Sequence, residues 1–183
     1  MKRAILIAIS VLAAQAVAIA HAAAPSLTVV LAGGSGPSTI AIELSEDGRS
    51  YVIDSAVPLE VGGDVCANPA GNSNELICVA APIGGFEVNS GAGEDDVTVS
   101  REVAIPVTLR GGPGDDRLTG GAGADKLVGG PGDDNLVGRA GGDSLFGGPG
   151  DDALMGGPGD DMVRGGPGED DSEGGSGHNE LIP

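Results

Sequence analysis

The sequence reads as all-β, a C-terminal parallel β-solenoid preceded by a small β-rich N-terminal region. Three observations point there. From Gly111 onward the chain repeats with a period of nine, every unit but the seventh joining a glycine-rich stretch to an apolar residue at constant phase. Upstream, short apolar runs alternate with turn residues. Beyond the first two dozen residues, no segment keeps a helical apolar period.

Met1 to Ala24 opens with Lys2 and Arg3, continues with an apolar run from Ala4 to Ala14, and ends in small residues around Ala20-His21-Ala22. This pattern predicts a secretory signal peptide over residues 1–22. Gln15 interrupts the apolar run, which argues against a membrane anchor, and no second stretch approaches bilayer length. A secreted, extracellular protein with no membrane insertion is expected.

The formal charge of the whole chain is −18, with 27 acids against nine bases. Removing Lys2 and Arg3 makes it more negative still. Such a surface repels nucleic acid and anionic membranes and concentrates cations. Trp is absent, and Tyr51, Phe86 and Phe146 are the only aromatics. A conventional aromatic-rich core cannot be built from them.

Residues 23–88 form the β-rich region. Strands are expected at Leu27 to Leu31, Thr39 to Leu44, Tyr51 to Ile53 and Leu76 to Val79. Ile40, Ile42 and Leu44 share one strand face, and Glu46-Asp47-Gly48-Arg49 supplies a turn before Tyr51, which predicts a hairpin. Cys66 and Cys78 bracket the turn-rich segment Asn68-Pro69-Ala70-Gly71-Asn72. In an exported protein they are read most simply as one disulfide. A thiol metal site is the alternative, although neither His21 nor His178 lies near it in sequence.

Residues 89–110 hold a degenerate repeat, Gly91-Ala92-Gly93-Glu94-Asp95-Asp96-Val97, and a strand-like stretch from Val103 to Leu109. Residues 111–183 hold the array proper. Its units are GGPGDDRLT, GGAGADKLV, GGPGDDNLV, GRAGGDSLF, GGPGDDALM, GGPGDDMVR, GGPGEDDSE and GGSGHNELI. Glycine fills the first and fourth positions throughout, and the second everywhere except Arg139. The sixth position is Asp116, Asp125, Asp134, Asp143, Asp152, Asp161 and Asp170, then Asn179.

A six-residue turn and a three-residue strand explain the spacing, because the eighth residue then points inward while the seventh and ninth point out. Two units make one coil. Asp116, Asp134, Asp152 and Asp170 are thereby expected on one edge, and Asp125, Asp143, Asp161 and Asn179 on the other. Carboxylates stacked about 4.8 Å apart repel by about 1 kcal/mol per pair even in water. The stack therefore calls for a cation. The oxygens on offer, carboxylates and turn carbonyls, suit Ca2+ better than Mg2+, and with no cysteine and the single His178 the array offers too few of the sulfur and nitrogen ligands that Zn2+ prefers.

The units resemble the GGxGxDxUx nonapeptide of the RTX, or hemolysin-type calcium-binding, repeat family of secreted bacterial proteins. The resemblance implies a parallel β-roll with Ca2+ held between consecutive turns by the sixth-position aspartates and turn carbonyls. Gaps between intact same-edge aspartates predict about five ions. Ser172 in a core position and Asn179 in a carboxylate position predict a weak or metal-free last coil. The fifth-position acids Asp115, Asp133, Asp151, Asp160 and Glu169 are expected to be solvated charges, and Val128, Phe146, Val137 and Met155 to face outward.

The rival reading is a small secreted hydrolase with an appended repeat domain. Gly33-Gly34-Ser35-Gly36-Pro37 fails as a G-x-S-x-G elbow, H-E-x-x-H is absent, and outside the signal peptide His178 is the one histidine. An enzyme is therefore not expected. A calcium-binding structural or adhesion-like module is, with its protein or cell-surface partner unspecified by the sequence.

Overall fold

A three-residue strand has no partner inside its own repeat unit, so its backbone groups must be satisfied by other units. The computed structural model describes residues 27–32, 35–46, 50–55, 60–62, 66–67, 75–79 and 83–182, and it meets this need by stacking. The expected signal peptide, the Asn68 to Asn72 turn and Asp47 to Arg49 lie outside the described residues.

The strands in the N-terminal region are β1 (Leu27–Ala32), β2 (Thr39–Leu44), β3 (Ser50–Ser55), β4 (Glu60–Gly62), β5 (Cys66–Ala67) and β6 (Glu75–Val79). There follow β7 (Ile83–Asn89), β8 (Asp96–Val99), β9 (Val107–Arg110), β10 (Arg117–Thr119), β11 (Lys126–Val128) and β12 (Asn135–Val137). The last are β13 (Ser144–Phe146), β14 (Ala153–Pro158), β15 (Met162–Arg164), β16 (Asp171–Ser176) and β17 (Glu180–Ile182). No helix occurs among the described residues.

Two sheets result. The first runs β17-β15-β13-β11-β9-β7-β1-β4 and the second β16-β14-β12-β10-β8-β2-β3-β6-β5. Within the array every pairing is parallel and joins residues 18 apart, as Leu127 with Leu145 and Leu118 with Leu136. The described residues are thus all-β, and residues 86–182 form a parallel solenoid with two units per coil, the architecture expected of a β-roll. Turns passing from the first sheet to the second, such as 129–134, line one edge; returning turns, such as 138–143, line the other.

Both sheets continue past the repeats into the N-terminal region. β1 lies parallel to β7, and β2 parallel to β8. The remaining N-terminal strands are antiparallel: β4 on β1, β3 on β2, β6 on β3 and β5 on β6. The hairpin expected after Leu44 is present, with Leu44 opposite Tyr51. Cys66 stands directly opposite Cys78. The strand expected from Val103 begins instead at Val107, because the chain first turns at Ser100 to Val103, where the Val103 amide donates to the Ser100 carbonyl at 3.0 Å, and Pro106 has no amide to contribute.

The core tapers. Towards the N-terminal end β2, β3, β7, β8 and β9 each bury two apolar residues: Ile40 and Ile42, Tyr51 and Ile53, Phe86 and Val88, Val97 and Val99, Val107 and Leu109. Tyr51 and Phe86 meet edge to face, ring centroids 5.0 Å apart. From Leu118 on, each strand buries one: Leu127, Leu136, Leu145, Leu154 and Val163 follow. Each such side chain contributes about 1.5–3 kcal/mol. The ladder ends at Ser172, half-buried, and Leu181, 52% exposed.

Candidate metal centre

The turns are built by their glycines. In the unit starting at Gly129, Gly130 and Gly132 take φ of 132° and 139°, a region closed to most side chains. A Cβ on Gly129 would fall 2.1 Å from Oδ2 of Asp134, and one on Gly130 would fall 2.1 Å from the Gly112 carbonyl oxygen one coil earlier. Glycine is therefore needed at the first position to admit the carboxylate of its own turn. At the second it is needed to let the next turn approach. Carboxylate and turn carbonyls are crowded together by the same spacing that repeats them.

The sixth-position aspartates form two columns. On the first edge, the amides of Asp95, Asp116, Asp134 and Asp152 donate to Oδ1 of Asp116, Asp134, Asp152 and Asp170 at 2.9, 2.8, 2.9 and 3.1 Å. On the second, the amides of Val107, Asp125, Asp143 and Asp161 donate to Oδ1 of Asp125, Asp143, Asp161 and Asn179 at 2.9, 2.8, 2.8 and 3.0 Å. The two-edge sorting read from the sequence is the one observed. All these aspartates are buried except Asp170, which is half-buried.

One oxygen of each carboxylate is thus used, and the other decides what the columns can do. Oδ2 of Asp95, Asp116, Asp134, Asp143, Asp152 and Asp161 is buried and accepts no hydrogen bond. Burying a carboxylate oxygen without a partner costs several kcal/mol, so these atoms call for a ligand of their own. Burial drives the Asp116 and Asp125 carboxyls up to about 6 and Asp134 up to about 7, with neighbouring acids adding to the rise. Asp143 and Asp152 are raised for the same reasons.

A hard cation answers this arrangement. It would neutralise the column and complete the orphaned oxygens, and the donor set of carboxylates plus carbonyls is the one Ca2+ accepts. No three His, Cys, Asp or Glu side chains converge among the described residues. That is as expected for sites that draw the rest of their oxygens from the backbone.

Three features escaped the sequence reading. Asp95 joins the first column 21 residues before Asp116, because the connection from Ser100 to Pro106 is three residues longer than the repeat allows. Ser38 tops that column, its amide and hydroxyl donating to Oδ1 of Asp95 at 2.6 and 2.9 Å. Gly33-Gly34-Ser35-Gly36-Pro37-Ser38-Thr39-Ile40 fits the repeat with serine in the sixth place, and Ile40 pairs with Val97 in the core row. A search tolerant of that one substitution would have found it.

The third feature is a second ladder. The exposed fifth-position acids are not simply solvated: Asp115, Asp133 and Asp151 accept the amides of Asp133, Asp151 and Glu169, each at 2.9 Å. Asp160 accepts the His178 amide likewise. This ladder runs opposite to the sixth-position one, from each coil back to its predecessor. At the ninth position Val128, Val137 and Phe146 are half-buried and Met155 exposed, all on the outer faces, and Lys126 Nζ lies 5.5 Å from the Phe146 ring centre.

Residues 110–145, 128–163 and 146–181 match the family model for the RTX calcium-binding nonapeptide repeat, four copies to the model. No curated protein and no solved structure matched the chain.

Proposed function

We propose, from the premise that residues 110–181 are RTX calcium-binding nonapeptide repeats, that this is a secreted protein whose array folds on binding Ca2+ outside the cell and acts as a structural or adhesion-like module. RTX repeats are a calcium-binding structural module. The finer reading rests on one observation, the buried, partnerless Oδ2 atoms arranged in columns.

The proposed ligands are the sixth-position carboxylates Asp116, Asp125, Asp134, Asp143, Asp152, Asp161 and Asp170 with neighbouring turn carbonyls, holding about five ions. Asp125 stands on the second edge with Asp143 and Asp161, and both of its oxygens also accept hydrogen bonds. The ion supplies charge neutralisation and oxygen coordination. The chain supplies two preformed rows of acceptors held in register by the Leu ladder. Because binding free energy is folding free energy here, calcium scarcity leaves the array unfolded and millimolar calcium folds it. Export through residues 1–22 places it where calcium is abundant; extracellular modules bind at roughly 10⁻⁴ to 10⁻³ M.

A disulfide between Cys66 and Cys78 is part of the same proposal, supported by their cross-strand pairing. A non-enzymatic role is supported by the placement of His178, whose side chain is 99% exposed at the last turn. Far-UV circular dichroism during calcium titration, with magnesium as control, tests the reading. A cooperative gain of β signal with calcium alone is expected. A spectrum that stays disordered through ten millimolar calcium would overturn it.

A further inference from the structure

The two edges of the array do not begin alike. On the first, the turn of residues 90–95 lies outside the matched repeats but stacks on the turn of 111–116 as consecutive repeats do. Gly91 and Gly93 take φ of 110° and 126°. A Cβ on Gly112 or Gly114 would meet their carbonyl oxygens at 1.9 and 2.0 Å, against 2.1 and 2.2 Å for the next pair of turns, at Gly130 and Gly132. Asp95 is 3% exposed, Oδ1 is taken by Ser38, and Oδ2 is buried without a partner.

On the second edge the turn of residues 120–125 departs from that pattern. Gly121 and Gly123 lack the positive φ used at the second and fourth positions of the first-edge turns, because the turn packs on the irregular 100–106 connection. There the Ala122 amide donates to the Val103 carbonyl at 2.7 Å. Both oxygens of Asp125 are satisfied by protein, Oδ1 by the Val107 amide at 2.9 Å and Oδ2 by the Gly121 amide at 2.7 Å. Arg139 brings a positive charge of its own. Its guanidinium Nη1 donates to the carbonyls of Val99 and Gly120 at 2.5 and 3.1 Å.

We propose that calcium loading is offset between the edges. On the first it starts one coil early, between Asp95 and Asp116; on the second it starts one coil late, at Asp143. Asp125 is a structural carboxylate completed by amides. The total stays at about five ions while two of the assigned positions change. This rests on the calcium reading above and specifies where its sites lie.

Asparagine substitutions separate the two, since Asn179 shows that an amide oxygen sustains the column by accepting the Asp161 amide; in Asp125→Asn that oxygen keeps the Val107 amide and only the Gly121 amide loses its acceptor. Calcium stoichiometry of the full chain is measured by equilibrium dialysis for the unsubstituted protein, Asp95→Asn and Asp125→Asn, with circular dichroism to establish folding. Asp95→Asn is expected to lose one ion and Asp125→Asn none. If Asp95→Asn does not fold, Asp95→Ser, which copies Ser38, takes its place. An unchanged count in the Asp95 variant, or a lost ion in the Asp125 variant, overturns the offset while leaving calcium binding intact. An unsubstituted chain that binds no calcium overturns both.

Discussion

The amide of Asp116 donates to Oδ1 of Asp134, 2.8 Å away and one coil ahead. Asp116, Asp134, Asp143, Asp152 and Asp161 each serve the coil before with one oxygen, while the other is buried without a hydrogen-bond partner. The two oxygens of one side chain have separate duties, and substitution can part them.

Asp134→Asn keeps the acceptor and removes the charge. At saturating calcium its β spectrum should match the parent, while the calcium midpoint rises about tenfold or more, in keeping with the loss of one charged ligand. Asp134→Ala removes both duties and strands the Asp116 amide. Urea denaturation in calcium should then show a further loss of about 1–3 kcal/mol. Equal behaviour of the two variants would refute the division.

Acidity should act in opposite directions with and without calcium. An unfolded aspartate titrates near 3.8, whereas the folded, metal-free array holds Asp116 and Asp125 at about 6 and Asp134 at about 7. Between those values the folded state binds more protons. Its stability is therefore fullest below 3.8 and declines as pH rises through 6 to 7. In chelator, residual β signal should grow on acidification. In calcium, which competes with those protons, the midpoint should fall as pH rises from 5 to 7 and level off above.

Gly130→Ala places a Cβ against the Gly112 carbonyl oxygen at φ 132°. A cost of at least about 1–3 kcal/mol is expected, read as a lower melting temperature at saturating calcium. A neutral result would mean that neighbouring coils are not held this close.

Ser172→Leu restores the inward row beyond Leu154, its register partner in β14. A gain of about 1 kcal/mol is expected from the apolar area covered, seen as slower proteolysis of the C-terminal end. No change would place that end outside the cooperative unit.

The array was legible because period, glycine positions and phase of the leucines are all local signals. Two-unit coils, the edge to which each aspartate belongs and the inward row follow from counting alone. What was not legible depended on contacts between coils. The role of Asp95 was hidden by the inserted residues before Val107, which break the count at the point where the column continues. The hydrogen bonds of Asp115 and Asp133 have no signature in composition, because an acid that accepts an amide and one that merely meets water look the same in a sequence. Asp125 fills the sixth position as its neighbours do, and the irregular connection beneath its turn sets it apart.

If the array folds with calcium as proposed, the tapering core would give the molecule a length that responds to its surroundings. A folded coil advances the solenoid by about 4.8 Å. The same 18 residues released and drawn taut span roughly 60 Å. Since the strands burying two apolar residues sit at the N-terminal end and Ser172 and Leu181 at the other, release is expected to proceed from the C-terminus inward. A tethered copy would give up slack from its C-terminal end first as calcium falls, and reel it back as calcium returns.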